Sequence, residues 1–175
     1  MDTHGFKVGD KAVHPAHGVG DVTGIEAREI GGSKAEFYVL KISESGMKVM
    51  VPVAAPESVG LRAVMSKREA EKVMDVFRVV ERAVGGGPWN RRQRAYNEMI
   101  KSGSPYEVAK VLRDLYSIKF KHEKDLSYGE RRLMDQARGL LFKEMALAKK
   151  VTETAIEEEI ATIFTLPPPT AATVS

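Results

Sequence analysis

The residues of this chain best suited to chemistry are one indole and a set of guanidinium groups. Trp89, Arg91, Arg92 and Arg94, with Tyr96 just beyond, open what reads as a helix. Three arginines within four residues cannot all fold inward, and arginine donors match phosphate oxygens in charge and in geometry. An exposed aromatic at the start of such a helix could lie against a sugar-phosphate wall or wedge beside an unstacked base step. The same residues have a plainer reading: Trp89, the only Trp, anchors a core and the arginines form a solvated face. Lys119, Lys121 and Lys124, then Arg131 and Arg132, could extend the basic surface.

Other groupings with chemical potential are weaker. His14 and His17 stand three apart with no evident third ligand, so they read as turn or surface residues and no metal site is expected. The pair Gly18 and Gly20 lacks the spacing and the Lys followed by Ser or Thr that a phosphate-cradling loop needs, and reads as a bend between strands. No Ser, His and Asp set sits in a nucleophile elbow, and Glu157, Glu158 and Glu159 read as the solvated face of a helix. No catalytic residue and no cofactor is expected, so the chain reads as a non-enzyme. The absence of Cys removes disulfides and thiolate ligation and fits a reducing compartment. The start of the chain lacks a basic segment followed by an apolar one, and no run approaches the roughly 18 apolar residues of a membrane span, so a cytoplasmic location is expected.

Charge is segregated along the sequence. Residues 1 to 84 hold 12 basic and 12 acidic side chains, whereas residues 85 to 150 hold 15 basic and 8 acidic, a surplus of seven. Residues 151 to 175 hold four Glu and no base. A basic middle raises the case for a polyanionic partner there, although excess Lys and Arg on solvated helices is the commoner cause of such a surplus.

Stepping from these residues to the elements that carry them, the first third reads as short strands cut by glycines. Val8 to Val13, Val19 to Ile30, Phe37 to Ile42 and Met47 to Val53 are rich in β-branched and aromatic residues, a spacing that suggests a small barrel. In the last of these, alternation sets Met47, Val49, Val51 and Val53 on one face and Lys48, Met50 and Pro52 on the other. Proline in a strand is confined largely to edges, so Met50 beside Pro52 suggests a protein-docking edge; equally, Met50 could pack under a loop or helix. From residue 66 the pattern is helical. Ser66 with Glu69, Ser104 with Glu107 and Pro105, and Ser127 with Glu130 form three capping boxes, and further helices are expected over 90–102 and 152–164. The first of the capped helices is expected over 67–82. The resulting expectation is an α+β chain with a β domain at 1–65, a helical domain at 66–166, a flexible Gly-Pro segment at 85–88 and a disordered tail at 167–175.

Several stretches in this order carry a specific resemblance. FKVGDKAVHPAHGVGDVTGIE, FYVLKI, MKVMVPV, SVGLR, WNRRQR, VAKVLRDLY, DLSYGERRLMDQAR and LLFKEMALAK together resemble the CarD and CdnL family of bacterial transcription regulators, over about residues 6 to 166. The match is to the short CdnL type, without a basic hook tail, and the helicase motifs of the transcription-repair coupling factor are missing. Gln93 and His14 stand where the family usually has aromatics. The resemblance implies a Tudor-like barrel that binds the β subunit of RNA polymerase and a compact helical domain that contacts promoter DNA near the upstream edge of the melted region. By motif position it implies Arg28, Met50 and Pro52 against the polymerase, Trp89 as a minor-groove wedge, and Arg91, Arg92, Arg94 and Arg131 as neighbouring DNA contacts. The expected outcome is stabilisation of the open complex at many promoters with little sequence specificity. The alternative is an interaction module that binds no DNA, with a peptide or strand site on the barrel and a helical docking domain.

Overall fold

The computed structural model describes residues 5–79, 88–121 and 125–165. The glycines at 85–87, Lys124, the end of the expected helix at 80–82 and the expected tail at 167–175 lie outside the described residues.

The first half forms one antiparallel sheet from β1 (Lys11–His14), β2 (Gly18–Ile30), β3 (Ser33–Ile42), β4 (Lys48–Pro52) and β5 (Arg62–Ala63), in the order β4-β3-β2-β1-β5. The expected first strand begins three residues late, because Gly9 at φ +98° turns the chain. The Asp10 carboxylate accepts the Lys7 amide across that turn at 2.8 Å and leaves Val8 exposed. β2 and β3 join through Gly31 and Gly32, both at positive φ, as a two-residue hairpin whose twist matches its strands. Val22, Tyr38, Leu40, Ile42 and Val51 bury one face of the sheet together with Ala12 and Leu61. Met47, expected on that face, is 48% exposed because it precedes β4 in the connecting turn.

The second half is five helices: α1 (Lys67–Arg78), α2 (Trp89–Lys101), α3 (Pro105–Lys121), α4 (Tyr128–Lys149) and α5 (Glu153–Thr165). Ser66 and Ser127 cap α1 and α4 through the amides of Glu69 and Glu130. α1 stops at Val79, which is extended. Val111, Leu112 and Leu115 of α3 meet Met74 of α1, Leu133, Ala137 and Leu141 of α4, and Ile156 and Ile160 of α5 in a separate apolar core. None of the described helices is long and apolar enough to cross a membrane.

The sheet is seated on the helices through a narrow seam. Glu144 of α4, only 1% exposed, accepts Nη1 and Nη2 of Arg62 at 2.5 and 2.8 Å and the Met65 amide at 2.8 Å. At the start of β2, a Cβ on Gly18 would stand 3.7 Å from the Gly139 carbonyl oxygen and from the Leu140 side chain of α4, so strand and helix approach to within about a methyl group. A cavity of about 20 Å³ remains between Val13, Pro15, Ile100 and Leu141, which is room for one water at most.

Candidate functional site

Two helix starts meet at the basic corner of the helical half. At α2, Pro88 occupies the cap position with φ −63°, and its carbonyl accepts the Arg91 and Arg92 amides at 3.0 and 3.2 Å. It has no side chain to bond the remaining first-turn amides, and that turn holds no acidic residue. The partial positive charge of this helix end therefore has no carboxylate in its own first turn. The start of α4 is built differently, by a full capping box: the Ser127 hydroxyl accepts the Glu130 amide at 3.2 Å and the Glu130 carboxylate accepts the Ser127 amide at 3.0 Å.

Gly129 joins the two. A Cβ there would fall 3.0 Å from Cζ2 and 3.1 Å from Nε1 of Trp89, so the indole rests on the backbone of α4 in space that only glycine leaves open. Arg92 reinforces the contact, with its guanidinium 5.2 Å from the Trp89 ring centroid and Nη2 3.6 Å from Oε2 of Glu130. Burial works against the charged form of Glu130, but its bonds with Ser127 and the Arg92 guanidinium prevail and hold its carboxyl below the usual range. Behind the indole, the Tyr96 ring lies 6.4 Å away at 53°, fully buried, and donates its hydroxyl to Asp114 at 3.2 Å. Burial, with the Asp114 charge beside it, pushes the Tyr96 phenol up to about 12.

The arginines of the motif divide. Arg91 and Arg94 are exposed, and Arg131 and Arg132 are exposed on the first turns of α4, whereas the Arg92 side chain keeps only 21% of its surface. Arg92, expected as a DNA contact beside Trp89, pairs with Glu130 and braces the indole while keeping part of its surface exposed. Trp89 is half-buried, packed against the rim of the helical core. It is neither a free flag nor a deep anchor: the ring is seated on Gly129 with Arg92 beside it and Tyr96 behind it, and keeps only part of its surface in solvent. Sequence reasoning missed Gly129, Glu130 as a charged partner, and Tyr128, which is 74% exposed beside them. The capping box at Ser127 marked this helix start, but nothing in it told that α2 would land there. Lys119 is exposed with Nζ 5.3 Å from the Phe120 ring centroid.

The other expected surface lies on the sheet. β4 is an edge strand, with Met50 opposite Val39 and Pro52 opposite Phe37. β2 sits on the far side of β3, with Glu26 opposite Phe37 and Arg28 opposite Ala35. Residues directly opposite share a face, and so do residues two apart in one strand. Arg28, Phe37, Met50 and Pro52 therefore line one face, the reverse of the one that buries Tyr38, Leu40 and Val51. Met50 is 37% exposed there, and Arg28, also exposed, pairs with Glu26 at 3.0 Å.

His14 and His17 stack with ring centroids 4.7 Å apart, and His14 Nδ1 accepts the Ala16 amide at 3.0 Å, so the pair shapes the turn between β1 and β2. Burial, helped by His17, lowers the pKa of His14. Among the described residues no group of three His, Asp or Glu side chains is placed to hold a metal ion.

Comparison with known proteins bears on the whole chain. Residues 6–65 match the family model of the CarD-like/TRCF RID domain, and residues 72–161 match that of the CarD C-terminal domain. A Bacillus subtilis (strain 168) protein named as a transcription factor, YdeB, is 34% identical over 154 residues, which cover 87% of this chain and 97% of that protein. Among solved structures, CdnLNt from Myxococcus xanthus is 53% identical over 38% of this chain and 92% of its own, at a TM-score of 0.31. With both domain models matched in order and a full-length relative at that identity, the chain belongs to the CarD family of transcription regulators.

Proposed function

We propose that this regulator works with two surfaces, a sheet face that docks on the RNA polymerase β subunit and a helical corner that leans on promoter DNA at the upstream edge of the transcription bubble. In this reading residues 1–65 form the polymerase module, with Arg28, Met50 and Pro52 in contact, and residues 66–166 the DNA module. Trp89 is the minor-groove wedge, Arg91, Arg94 and Arg131 hold phosphates, and Arg92 braces the wedge from behind.

The observation that carries the reading is the mounting of Trp89. An indole at a helix start with no side-chain cap, pinned to a second helix start, with exposed Arg91, Arg94, Arg131 and Arg132 in the opening turns of those two helices, suits a distorted, negatively charged groove. Tethering through the sheet raises the effective concentration of the corner at the promoter, so weak DNA contacts suffice. A preference for open over closed complex of about 1.4 kcal/mol shifts that equilibrium tenfold. None of these contacts reads a base edge, so action at many promoters follows.

The test is a promoter-opening assay with purified polymerase. Trp89→Ala is expected to shorten open-complex lifetime while the protein stays folded and polymerase-bound; an unchanged lifetime sinks the wedge. Met50→Asp, on an exposed edge, is expected to abolish binding to the β subunit without loss of fold. Retained binding there removes Met50 from the docking face, and absence of polymerase binding by the wild-type chain would favour the alternative, a helical and edge-strand interaction module that touches no DNA.

A further inference from the structure

Tyr128 is the most exposed large hydrophobic side chain of the described residues, at 74%. Its position is set by the capping box. Ser127 is extended at φ −64° and ψ 165°, and Tyr128 is the first helical residue of α4, bonded into a chain turn fixed by two reciprocal hydrogen bonds. The next residue, Gly129, is the one on which Trp89 rests. Tyr128 and Trp89 are therefore separated by one residue of backbone and a van der Waals contact. On the helix surface, Arg131 and Arg132 stand three and four positions after Tyr128, on its own side, and both are exposed. The acid nearest in sequence, Glu130, points inward to Arg92.

A bare phenol in solvent has no structural reason at this place. The core is complete without it, its hydroxyl serves no cap, and Ser127 and Glu130 already hold the helix start. Exposed Asp125 lies three positions before it, but on the helix itself its neighbours one turn on are the exposed Arg131 and Arg132, the setting of an aromatic that stacks on nucleic acid, where rings bind bases through their faces and arginines hold the backbone.

The geometry points to Tyr128 as a second aromatic contact to nucleic acid, stacking on an unpaired or unstacked base next to the step that Trp89 enters. The inference rests on the DNA reading given above and deepens it. Trp89, braced and half-buried, would open the step, and Tyr128, free at the helix tip, would hold the base that the opening releases. Its target is thus a junction between duplex and single strand, rather than intact duplex.

The experiment measures binding of the full chain to two labelled oligonucleotides at low salt, a fork junction with an unpaired strand and a fully paired duplex of the same sequence. Fluorescence anisotropy gives the affinities, and emission of Trp89, the only Trp, reports independently whether the corner is engaged. Stacking contacts of this kind change affinity by about fivefold or more. Tyr128→Ala is expected to weaken fork binding about five- to tenfold and duplex binding by less than about twofold, with Tyr128→Phe close to wild type because the ring face, not the hydroxyl, makes the contact. Circular dichroism checks the fold, which an exposed side chain should not disturb. Unchanged fork affinity in Tyr128→Ala, while Arg91→Ala and Arg131→Ala weaken both oligonucleotides, overturns this inference and leaves the DNA reading intact. Equal weakening on fork and duplex overturns the stacking on an unpaired base. Failure of the wild-type chain to bind the fork, with Trp89 emission unmoved, overturns this inference, while the DNA reading, in which polymerase supplies the effective concentration, is decided separately by the promoter-opening assay.

Discussion

The bond set around Glu144 predicts how strongly the sheet is held to the helices. Its carboxylate is 1% exposed and accepts three hydrogen bonds, two from Arg62 and one from the Met65 amide. Charge-assisted bonds contribute about 1.5–3 kcal/mol each, but the Arg62 side chain retains 34% of its surface and recovers part of its hydration when the partner goes. Glu144→Ala therefore loses part of the pair and strands the buried Met65 amide, about 3 kcal/mol in all. Arg62→Ala is the harsher change, since it leaves a carboxylate among apolar side chains with one amide donor, at about 3–5 kcal/mol. The double variant Arg62→Ala with Glu144→Leu should cost less than the sum of its parts, with a coupling of about 2 kcal/mol. Urea unfolding of all variants, followed by far-ultraviolet circular dichroism with the slope checked for a single transition, supplies the energies. A cost for Arg62→Ala below about 1 kcal/mol, or a coupling within about 0.5 kcal/mol of zero, would refute the claim that this buried pair fastens the two halves.

Three further outcomes follow from the basic corner and its surroundings. Because Arg91 and Arg94 are exposed and Arg92 is paired, Arg91→Ala or Arg94→Ala should each reduce the salt slope of DNA binding by about 1 with unchanged stability, while Arg92→Ala should lower the urea midpoint. The Glu130 carboxyl is held below its unfolded value of about 4.3, so the unfolded chain takes up its proton first on acidification. Its contribution is whole above that value and lost as pH falls through the lower folded one; a urea midpoint series from about pH 6 to pH 3 should fall more steeply for wild type than for Glu130→Gln. Burial pushes the phenols of Tyr96 and Tyr116 up to about 12, so ultraviolet titration should show late-ionising phenol above about pH 11 whose amplitude falls by one tyrosine in Tyr96→Phe.

What could be read in the sequence was what local chemistry decides. Ser66 and Ser127 announced their helices because a cap is satisfied within four residues, and the alternation from Lys48 to Pro52 fixed the face of Met50 because a strand has a period of two. The shared face of Arg28 and Met50 emerged only with the register, since it depends on which residue of β3 stands between them. Arg92 could not be told from Arg91 and Arg94 by type or spacing. Its pairing depends on Glu130, 38 positions later in the chain, arriving beneath α2. Tyr128 looked like an ordinary helix residue, and only the finished packing shows that nothing covers it.

The meeting of Gly18 with Gly139 and Leu140 has a mechanical consequence. A seam lined with long side chains can slip by exchanging rotamers, absorbing a small displacement at each step. Here Gly18 leaves room for no more than a methyl against α4, and the long side chains that cross the seam, Arg62 and Glu144, are locked by paired hydrogen bonds, so sliding requires those bonds to break.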